Sequence, residues 1–255
     1  MKKIIALILA LTLCLSLFGC GKTDSPANTP DIPDNGEENG EEVKFSKDDK
    51  LIAFSFDDGP DTNTTPKVLD LFAEYDGYCT FFLIGNHIND DTAEIIKRAY
   101  DEGHEIGNHT KDHMNLANEI PPTMEEQVSY VQDKVKEIIG VEPTLFRPPF
   151  LAVSPAMHEN IGLTFIFGRD SQDWTDISEV QRYENVMKFA DDGIIVLMHD
   201  GYNNERTVAA LELLLPELHE QGYKFCTISQ LFEAKGITPE ANSGVIYSAA
   251  TENGQ

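Results

Sequence analysis

Two adjacent carboxylates end the first apolar stretch of the chain and could take part in the activation of water. Asp57 and Asp58 follow residues 51–56 and precede Gly59 and Pro60. Successive side chains of a strand point in different directions, so one carboxylate can bind a cation while the other faces a substrate as a base. The alternative is a solvated Asp-Gly-Pro turn, which is common in proteins.

A pair of histidines, His109 and His113, forms the second motif. They are four residues apart, and one helical turn would present both imidazoles to the same ion. With an aspartate as third ligand, a metal keeps a position open for water, lowers the pKa of that water and polarises a carbonyl. A metalloprotease would need glutamate after the first histidine, where Thr110 stands. The alternative is a coincidental histidine pair on an exposed turn.

Short apolar stretches alternate with longer amphipathic ones from residue 51 onward. The candidate strands are 51–56, 79–84, 104–108, 144–147, 163–167, 193–198 and 223–228. The candidate helices are 65–75, 91–102, 122–139, 178–190 and 205–221. This alternation predicts an α/β fold with a parallel sheet covered by helices, either an open doubly wound sheet or a closed barrel.

The unusual polar residues fall just beyond the predicted strands. Besides the two motifs, Arg147, Asp173 and His199 follow or end the fourth, fifth and sixth strands. In a parallel α/β architecture these ends lie on one face, where active sites are built. We therefore expect one site formed by several loops.

Five motifs occur in the order typical of one enzyme family. They are S-F-D-D-G-P at 55–60, H-T-K-D-H at 109–113, R-P-P-F at 147–150, D-S-Q-D-W at 170–174 and L-M-H at 197–199. Through these motifs the chain resembles the polysaccharide deacetylase family, which is also called the NodB-homology domain or carbohydrate esterase family 4. The resemblance implies a distorted (β/α) barrel with about seven parallel strands and an active site at their C-terminal ends.

The resemblance also implies a metal site and an acid and base pair. Asp58, His109 and His113 would hold one divalent metal, zinc in the first place and otherwise cobalt or nickel. Asp57 would be the general base toward water, and His199 the general acid toward the leaving amine. The residues that orient this pair would be Arg147 beside Asp57 and Asp173 beside His199.

The remaining implied roles concern the substrate. The backbone N–H of Phe150 would stabilise the oxyanion, and Trp174 and Leu197 would line a pocket for the acetyl methyl group, although Trp174 could instead be an ordinary core aromatic. The chain departs from the family pattern at Phe150, where tyrosine is usual, at Leu151, where glycine often follows, and at Ser55, which replaces threonine. Leu151 puts the shape of the substrate loop in question, and Phe150 lacks the tyrosine hydroxyl that could contact the sugar.

The N-terminal residues predict export. Lys2 and Lys3 precede an apolar stretch at 4–18 that ends before Cys20, which fits a signal peptide and is too short for a spanning helix. We expect a lipoprotein signal peptide at 1–19 with lipidation of Cys20, or else simple cleavage and release.

Further boundaries follow from composition. Residues 20–46 are predicted to be a flexible acidic tether because they contain few apolar side chains, 47–238 to be the deacetylase domain, and 239–255 to be a disordered tail. Cys79 and Cys226 are predicted to be buried thiols rather than a disulfide.

The net charge of −25 excludes nucleic acid as a partner. The predicted location is the extracellular face of the cytoplasmic membrane, lipid-anchored or secreted, and the predicted protein is a monomer that acts on a polysaccharide. The expected reaction is hydrolysis of acetyl groups from N-acetylated sugars, with the N-acetylglucosamine of peptidoglycan as first choice. The alternatives are an O-acetyl esterase of the xylan type and a catalytically silent glycan-binding lipoprotein.

Overall fold

The computed structural model describes residues 44–201, 204–251 and 253–254. Within them nine strands form one sheet. The strands are β1 (Lys50–Asp57), β2 (Thr80–Leu83), β3 (Glu105–Asn108), β4 (Leu145–Phe146), β5 (Thr164–Ile166), β6 (Arg169–Asp170), β7 (Ile194–His199), β8 (Tyr223–Phe225) and β9 (Ile246–Tyr247). The helices are α1 (Thr64–Ala73), α2 (Asp90–Asp101), α3 (Pro121–Ile139), α4 (Pro155–Asn160), α5 (Glu179–Met187), α6 (Glu205–Glu220) and α7 (Ile228–Lys235).

All paired strands are parallel, and the sheet curves into a distorted barrel. The strand order is β6-β7-β1-β2-β3-β4-β5-β9, and β8 pairs with the beginning of β1. The C-terminal segment connects the two sides of the sheet: Tyr247 accepts the N–H of Phe167 at 2.8 Å, and Ser248 accepts the N–H of Ile195 at 3.1 Å. The expected α/β barrel of parallel strands is therefore confirmed.

The alternation of side chains along β1 places the predicted chemistry inside the barrel. Ile52, Phe54 and Phe56 belong to the large core between the sheet and the helices. Leu51 and Ala53 belong to the interior cluster instead. Because side chains on a strand alternate between its two faces, Ser55 and Asp57 continue the interior row of β1.

The helix ends follow local chemistry. Gly140 ends α3 in the left-handed conformation with φ of 82°, which glycine adopts without steric cost. Thr227 begins α7 by accepting the N–H of Gln230, and the side chain of Gln230 accepts the N–H of Thr227 in return. Because this capping box begins a helix at Ile228, β8 ends at Phe225 instead of continuing to residue 228 as predicted. The sequence interpretation missed α7.

The tail and the tether differ from expectation where the structure describes them. The expected disordered tail at 239–255 is wrong for residues 246–250, because Tyr247 is 4% exposed, packs on Phe232 and pairs with β5. The expected tether reaches too far at its end, since Phe45 is buried against Tyr78. Sparse apolar residues in a polar stretch gave too weak a signal for either contact.

The predictions for the signal peptide, Cys20 and residues 20–43 lie outside the described residues. Cys79 and Cys226 are both buried free thiols, as expected. Among the described residues, none of the helices combines the length and apolar character needed to cross a bilayer.

Replacement of Tyr247 by alanine tests whether the C-terminal segment closes the barrel by joining the two sides of the sheet. We expect Tyr247→Ala to lower the free energy of unfolding by about 3 kcal/mol, since it removes a buried aromatic ring. Tyr100→Ala is the matched control, because Tyr100 is 40% exposed and should cost about 1 kcal/mol or less. Urea denaturation measures both variants, and equal small losses would contradict the closing role.

Candidate active site

A cavity of about 400 Å³ opens at the C-terminal ends of the strands. Eight of the side chains with a predicted role in the site line it: Asp57, Asp58, His109, His113, Phe150, Trp174, Leu197 and His199. A neighbouring cavity of about 410 Å³ shares Asp58, His113, Trp174 and His199 and includes Asp173. Arg147 is fully buried beneath the site. The structure thus brings the predicted residues together.

The three predicted metal ligands form one cluster. The Nε2 atoms of His109 and His113 each lie 3.5 Å from Oδ1 of Asp58, and one ligand atom from each residue lies within 4.8 Å of the others. Asp58 Oδ1 is buried and has no hydrogen-bond partner among the described residues. An unpaired buried oxygen facing two imidazole nitrogens is a donor set suited to a borderline divalent cation such as zinc or cobalt.

A hydrogen bond to His109 determines which of its ring nitrogens is available to a metal. His109 Nδ1 lies 2.7 Å from the carbonyl oxygen of Arg147, so this nitrogen carries the proton and Nε2 keeps its lone pair for a metal. Burial would raise the pKa of Asp58, but attraction to the nearby imidazoles, mainly that of His109 with smaller contributions from His199 and His113, lowers it to about 2. The carboxylate is therefore ionised, as a metal ligand must be.

The two histidines do not lie on a helical turn, which corrects the sequence interpretation. Residues 109–113 form a loop after β3, with left-handed φ of 67° at Thr110 and 59° at His113. This loop is tied to the turn after β2, because Gly85 and Asn86 donate to the carbonyls of Thr110 and Lys111 at 2.9 and 2.7 Å. Loop geometry of this kind leaves no periodicity in the sequence, so the correct spacing suggested the wrong element.

Asp57 is held by a buried ion pair with Arg147. Arg147 Nη1 donates to Asp57 Oδ1 at 2.6 Å, and Nη2 donates to Ser55 Oγ at 2.7 Å. The guanidinium also lies over the ring of Phe82, 4.1 Å from its centroid. The second carboxylate oxygen of Asp57 lies 3.7 Å from Nε2 of His109, next to the ligand cluster.

His199 is the strand neighbour of Asp57. The parallel pairing of β1 with β7 places Asp57 opposite His199, and alternation gives both side chains the interior face. His199 Nδ1 lies 2.7 Å from Oδ1 of Asp173, which leaves Nε2 for the cavity. Burial would lower the pKa of His199, but the hydrogen bond and charge of Asp173 raise it to about 9. The imidazole is therefore protonated at neutral pH.

The apolar side of the cavity combines one buried and two exposed side chains. Leu197 is 3% exposed, whereas Phe150 and Trp174 are 68% and 66% exposed. The alternative of a core aromatic is wrong because the Trp174 side chain is exposed, and its Nε1 donates to Asp170 Oδ2 at 3.2 Å. Phe150 has a left-handed φ of 60°, and its ring centroid lies 4.6 Å from that of His113.

Several side chains around the site were missed by sequence reasoning. His87 was assigned no role, yet its Nδ1 lies 2.8 Å from the carbonyl oxygen of Asp58. Asp200 is buried beside Thr65 and Gly59. Burial raises the pKa of Asp200 to about 7, with a further contribution from nearby carboxylates and despite the hydrogen bond from Thr65. Asn204 and Thr207 donate to Asp173. Only Asp200 had a sequence signal, since it directly follows His199.

Comparison with known proteins gives consistent matches. The model of the family described as polysaccharide deacetylase matches residues 44–166. The chain is similar to a bifunctional xylanase/deacetylase of Pseudobutyrivibrio xylanivorans, with 40% identity over 76% of this chain and 32% of the relative. It is also similar to a peptidoglycan-N-acetylglucosamine deacetylase of Bacillus cereus, with 38% identity over 73% of this chain and 90% of the relative.

The fold is likewise found among solved structures. The structure of a family 4 acetyl xylan esterase from Clostridium thermocellum in complex with a cobalt ion has a TM-score of 0.76 and 36% identity. The match covers 78% of this chain and 98% of that one. The chain spans about a third of the length of the xylanase/deacetylase but most of the length of the Bacillus cereus relative.

Removal of either histidine of the cluster should abolish tight metal binding. We expect His109→Gln and His113→Gln each to weaken zinc or cobalt binding by at least ~100-fold, because loss of even an outer partner of a ligand costs 10–100-fold. Titration calorimetry on metal-stripped protein measures this effect. His219→Gln is the control, since His219 belongs to α6 and packs on Tyr75. Unchanged affinity in both cluster variants would contradict the site.

Proposed function

The chain belongs to the polysaccharide deacetylase family, and from this premise we propose that it hydrolyses the acetyl amides of N-acetylated sugars in a polysaccharide. The observation that carries the proposal is the pairing of Asp57 with His199 on neighbouring strands beside the cluster of Asp58, His109 and His113. One cavity therefore holds a base, an acid and a set of metal ligands. A silent glycan-binding protein would have no need to keep all three.

The proposed cofactor is one divalent ion, with zinc preferred and cobalt or nickel as alternatives. When bound, such an ion lowers the pKa of a water molecule and polarises the acetyl carbonyl. Asp58, His109 and His113 would hold it through the Oδ1 and Nε2 atoms that face one another. All three residues line the cavity of about 400 Å³, so a substrate in that cavity would have access to the ion.

The proton transfers are assigned to two side chains. Asp57 accepts a proton from the water whose oxygen forms the new bond to the acetyl carbon, and Arg147 holds that carboxylate in place at 2.6 Å. His199 then donates a proton to the sugar nitrogen as the carbon–nitrogen bond breaks. The products are acetate and a free amine. An amine leaves only when protonated, so the raised pKa of His199 suits cleavage of an amide.

The substrate contacts are assigned to the rest of the cavity. The N–H of Phe150 is proposed to stabilise the oxyanion, and this donor does not depend on the missing tyrosine hydroxyl. Leu197 and Trp174 would bound the acetyl methyl group. The exposed rings of Phe150 and Trp174 would face the sugar on either side of the cavity.

The proposed substrate is peptidoglycan, with N-acetylglucosamine first. The similarity to the Bacillus cereus peptidoglycan-N-acetylglucosamine deacetylase, which this chain spans for 90% of its length, supports this choice. We propose that the domain works outside the cytoplasm, anchored through a lipid at Cys20 or secreted, and as a monomer. The acidic net charge of −25 is compatible with a neutral or partly cationic glycan.

An O-acetyl esterase is the second candidate, and a specific observation favours it. The similar structure from Clostridium thermocellum is an acetyl xylan esterase, so closely related folds include esterases. Ester cleavage releases an alkoxide, which needs less help from an acid than an amine does. The two candidates therefore differ in how strongly they depend on His199.

Replacement of Asp57 by asparagine tests the proposed mechanism. We expect Asp57→Asn to reduce acetate release from N-acetylglucosamine oligomers by at least ~100-fold, because it removes the base. An enzymatic acetate assay on metal-loaded protein measures the loss. Asp133→Asn on the exposed face of α3 is the control. Unchanged acetate release in Asp57→Asn would contradict the assigned base.

Replacement of His199 by alanine separates amide from ester hydrolysis. We expect His199→Ala to abolish acetate release from N-acetylated glycan while much of the activity on O-acetylated xylan persists, because only the amine requires protonation. Parallel acetate assays on both substrates measure the ratio. Wild-type activity confined to O-acetylated xylan would replace the proposal with the esterase.

A further inference from the structure

A buried arginine lies close to Asp173 and His199. Arg182 belongs to α5 and is 4% exposed. Its Nη1 donates to Asn204 Oδ1 at 2.6 Å and to Thr207 Oγ1 at 2.9 Å, while Nη2 donates to the carbonyl of Thr175 at 3.2 Å. The guanidinium thus reaches two side chains that themselves contact Asp173.

The contact with Thr207 fixes the direction of one hydrogen bond. A guanidinium has donors only, so Thr207 Oγ1 must accept from Arg182. The single hydroxyl proton of Thr207 is then directed to Asp173 Oδ2, which lies 2.6 Å away. Without Arg182, the hydroxyl could rotate toward another acceptor.

The contact with Asn204 fixes the direction of a second one. The amide oxygen of Asn204 faces Arg182, so its NH₂ group must face the other way. That group donates to the carbonyl of His199 at 2.7 Å and to Asp173 Oδ2 at 3.3 Å. The reversed amide would place NH₂ against the guanidinium and oxygen against two acceptors, which is unfavourable.

Both contacts therefore present donors to Asp173, whose other partners are the ring and backbone N–H of His199 at 2.7 and 2.8 Å. A carboxylate surrounded by donors stays ionised and fixed in orientation. We propose that Arg182 is a positioning residue of the acid: by orienting Thr207 and Asn204, it keeps Asp173 aligned with Nδ1 of His199. This inference rests on the proposed function for its catalytic consequence.

The charges around the two ends of this network are consistent with the arrangement. Burial lowers the pKa of Arg182, as does the like charge of Arg206. The carboxylates of Asp173, Asp176 and Glu179 act in the opposite direction. Burial lowers the pKa of His199, but Asp173, Asp57 and Asp58 together raise it. Carboxylates thus lie near both cationic side chains, and Asp173 is common to the two sets.

The test compares an amide with an ester whose leaving group needs no proton. In metal-loaded Arg182→Met we expect kcat on N-acetylglucosamine oligomers to fall at least ~10-fold, with kcat on 4-nitrophenyl acetate within about threefold of wild type, since general acid catalysis contributes 10²–10⁴-fold. KM for the glycan should change little. Arg182→Lys, which still only donates, should recover part of the amide activity.

Arg206→Met serves as the matched control. Arg206 pairs with Asp176 at 2.6 Å on the surface, so its removal should leave both activities unchanged. Equal losses on amide and ester in Arg182→Met, or no loss, would overturn the proposal. If Arg182→Met does not fold, Thr207→Val removes one relay while keeping the side-chain shape, and its amide-to-ester ratio decides in the same way.

A measurement without substrate separates this inference from the proposed function. The Nδ1 proton of His199, bonded to Asp173, should give a downfield signal in the proton NMR spectrum that Arg182→Met shifts or broadens and Arg206→Met does not. An unchanged signal would overturn the positioning role. Failure of the wild-type protein to release acetate from any glycan would instead refute the proposed function and leave the NMR result intact.

Discussion

The buried guanidinium of Arg147 is the contact on which the rest of the site depends. It is fully buried, and a buried charge is tolerated only when it is paired and hydrogen-bonded. Its side chain binds Asp57 and Ser55, and its carbonyl accepts the Nδ1 proton of His109. One residue therefore orients both the carboxylate proposed as base and the imidazole of a proposed metal ligand.

The parallel register of β1 and β7 places the proposed acid beside the proposed base. Asp57 and His199 are the last residues of their strands and lie opposite each other. Because side chains alternate, the interior row that carries Leu51, Ala53 and Asp57 on β1 faces the same side as Leu197 and His199 on β7. A shift of register by one residue would turn one group out of the barrel.

The sequence correctly predicted the elements with strong periodicity and most of the residues whose side chains lie in the site. Sequence reasoning located seven of the nine strands, β1–β5, β7 and β8, and the motif residues with predicted roles line the two neighbouring cavities or lie buried beneath them. It failed where tertiary contacts decide: β9 is held by pairing with β5, and the loop carrying His109 and His113 is held by backbone hydrogen bonds to the turn after β2. Arg182 was missed because its role exists only through Asn204 and Thr207, which are distant in sequence.

The charges of the site explain why a cation fits at one point. Asp57 is paired with Arg147, and Asp173 with His199, so each of these carboxylates already has a cationic partner. Asp58 is ionised, with its pKa lowered to about 2 against the effect of burial, yet its Oδ1 lacks a hydrogen bond among the described residues. The Nε2 atom of His109 offers it a lone pair rather than a proton, because Nδ1 of His109 is the donor to the carbonyl of Arg147. A divalent ion satisfies all three groups at once, whereas a proton could satisfy only one pair.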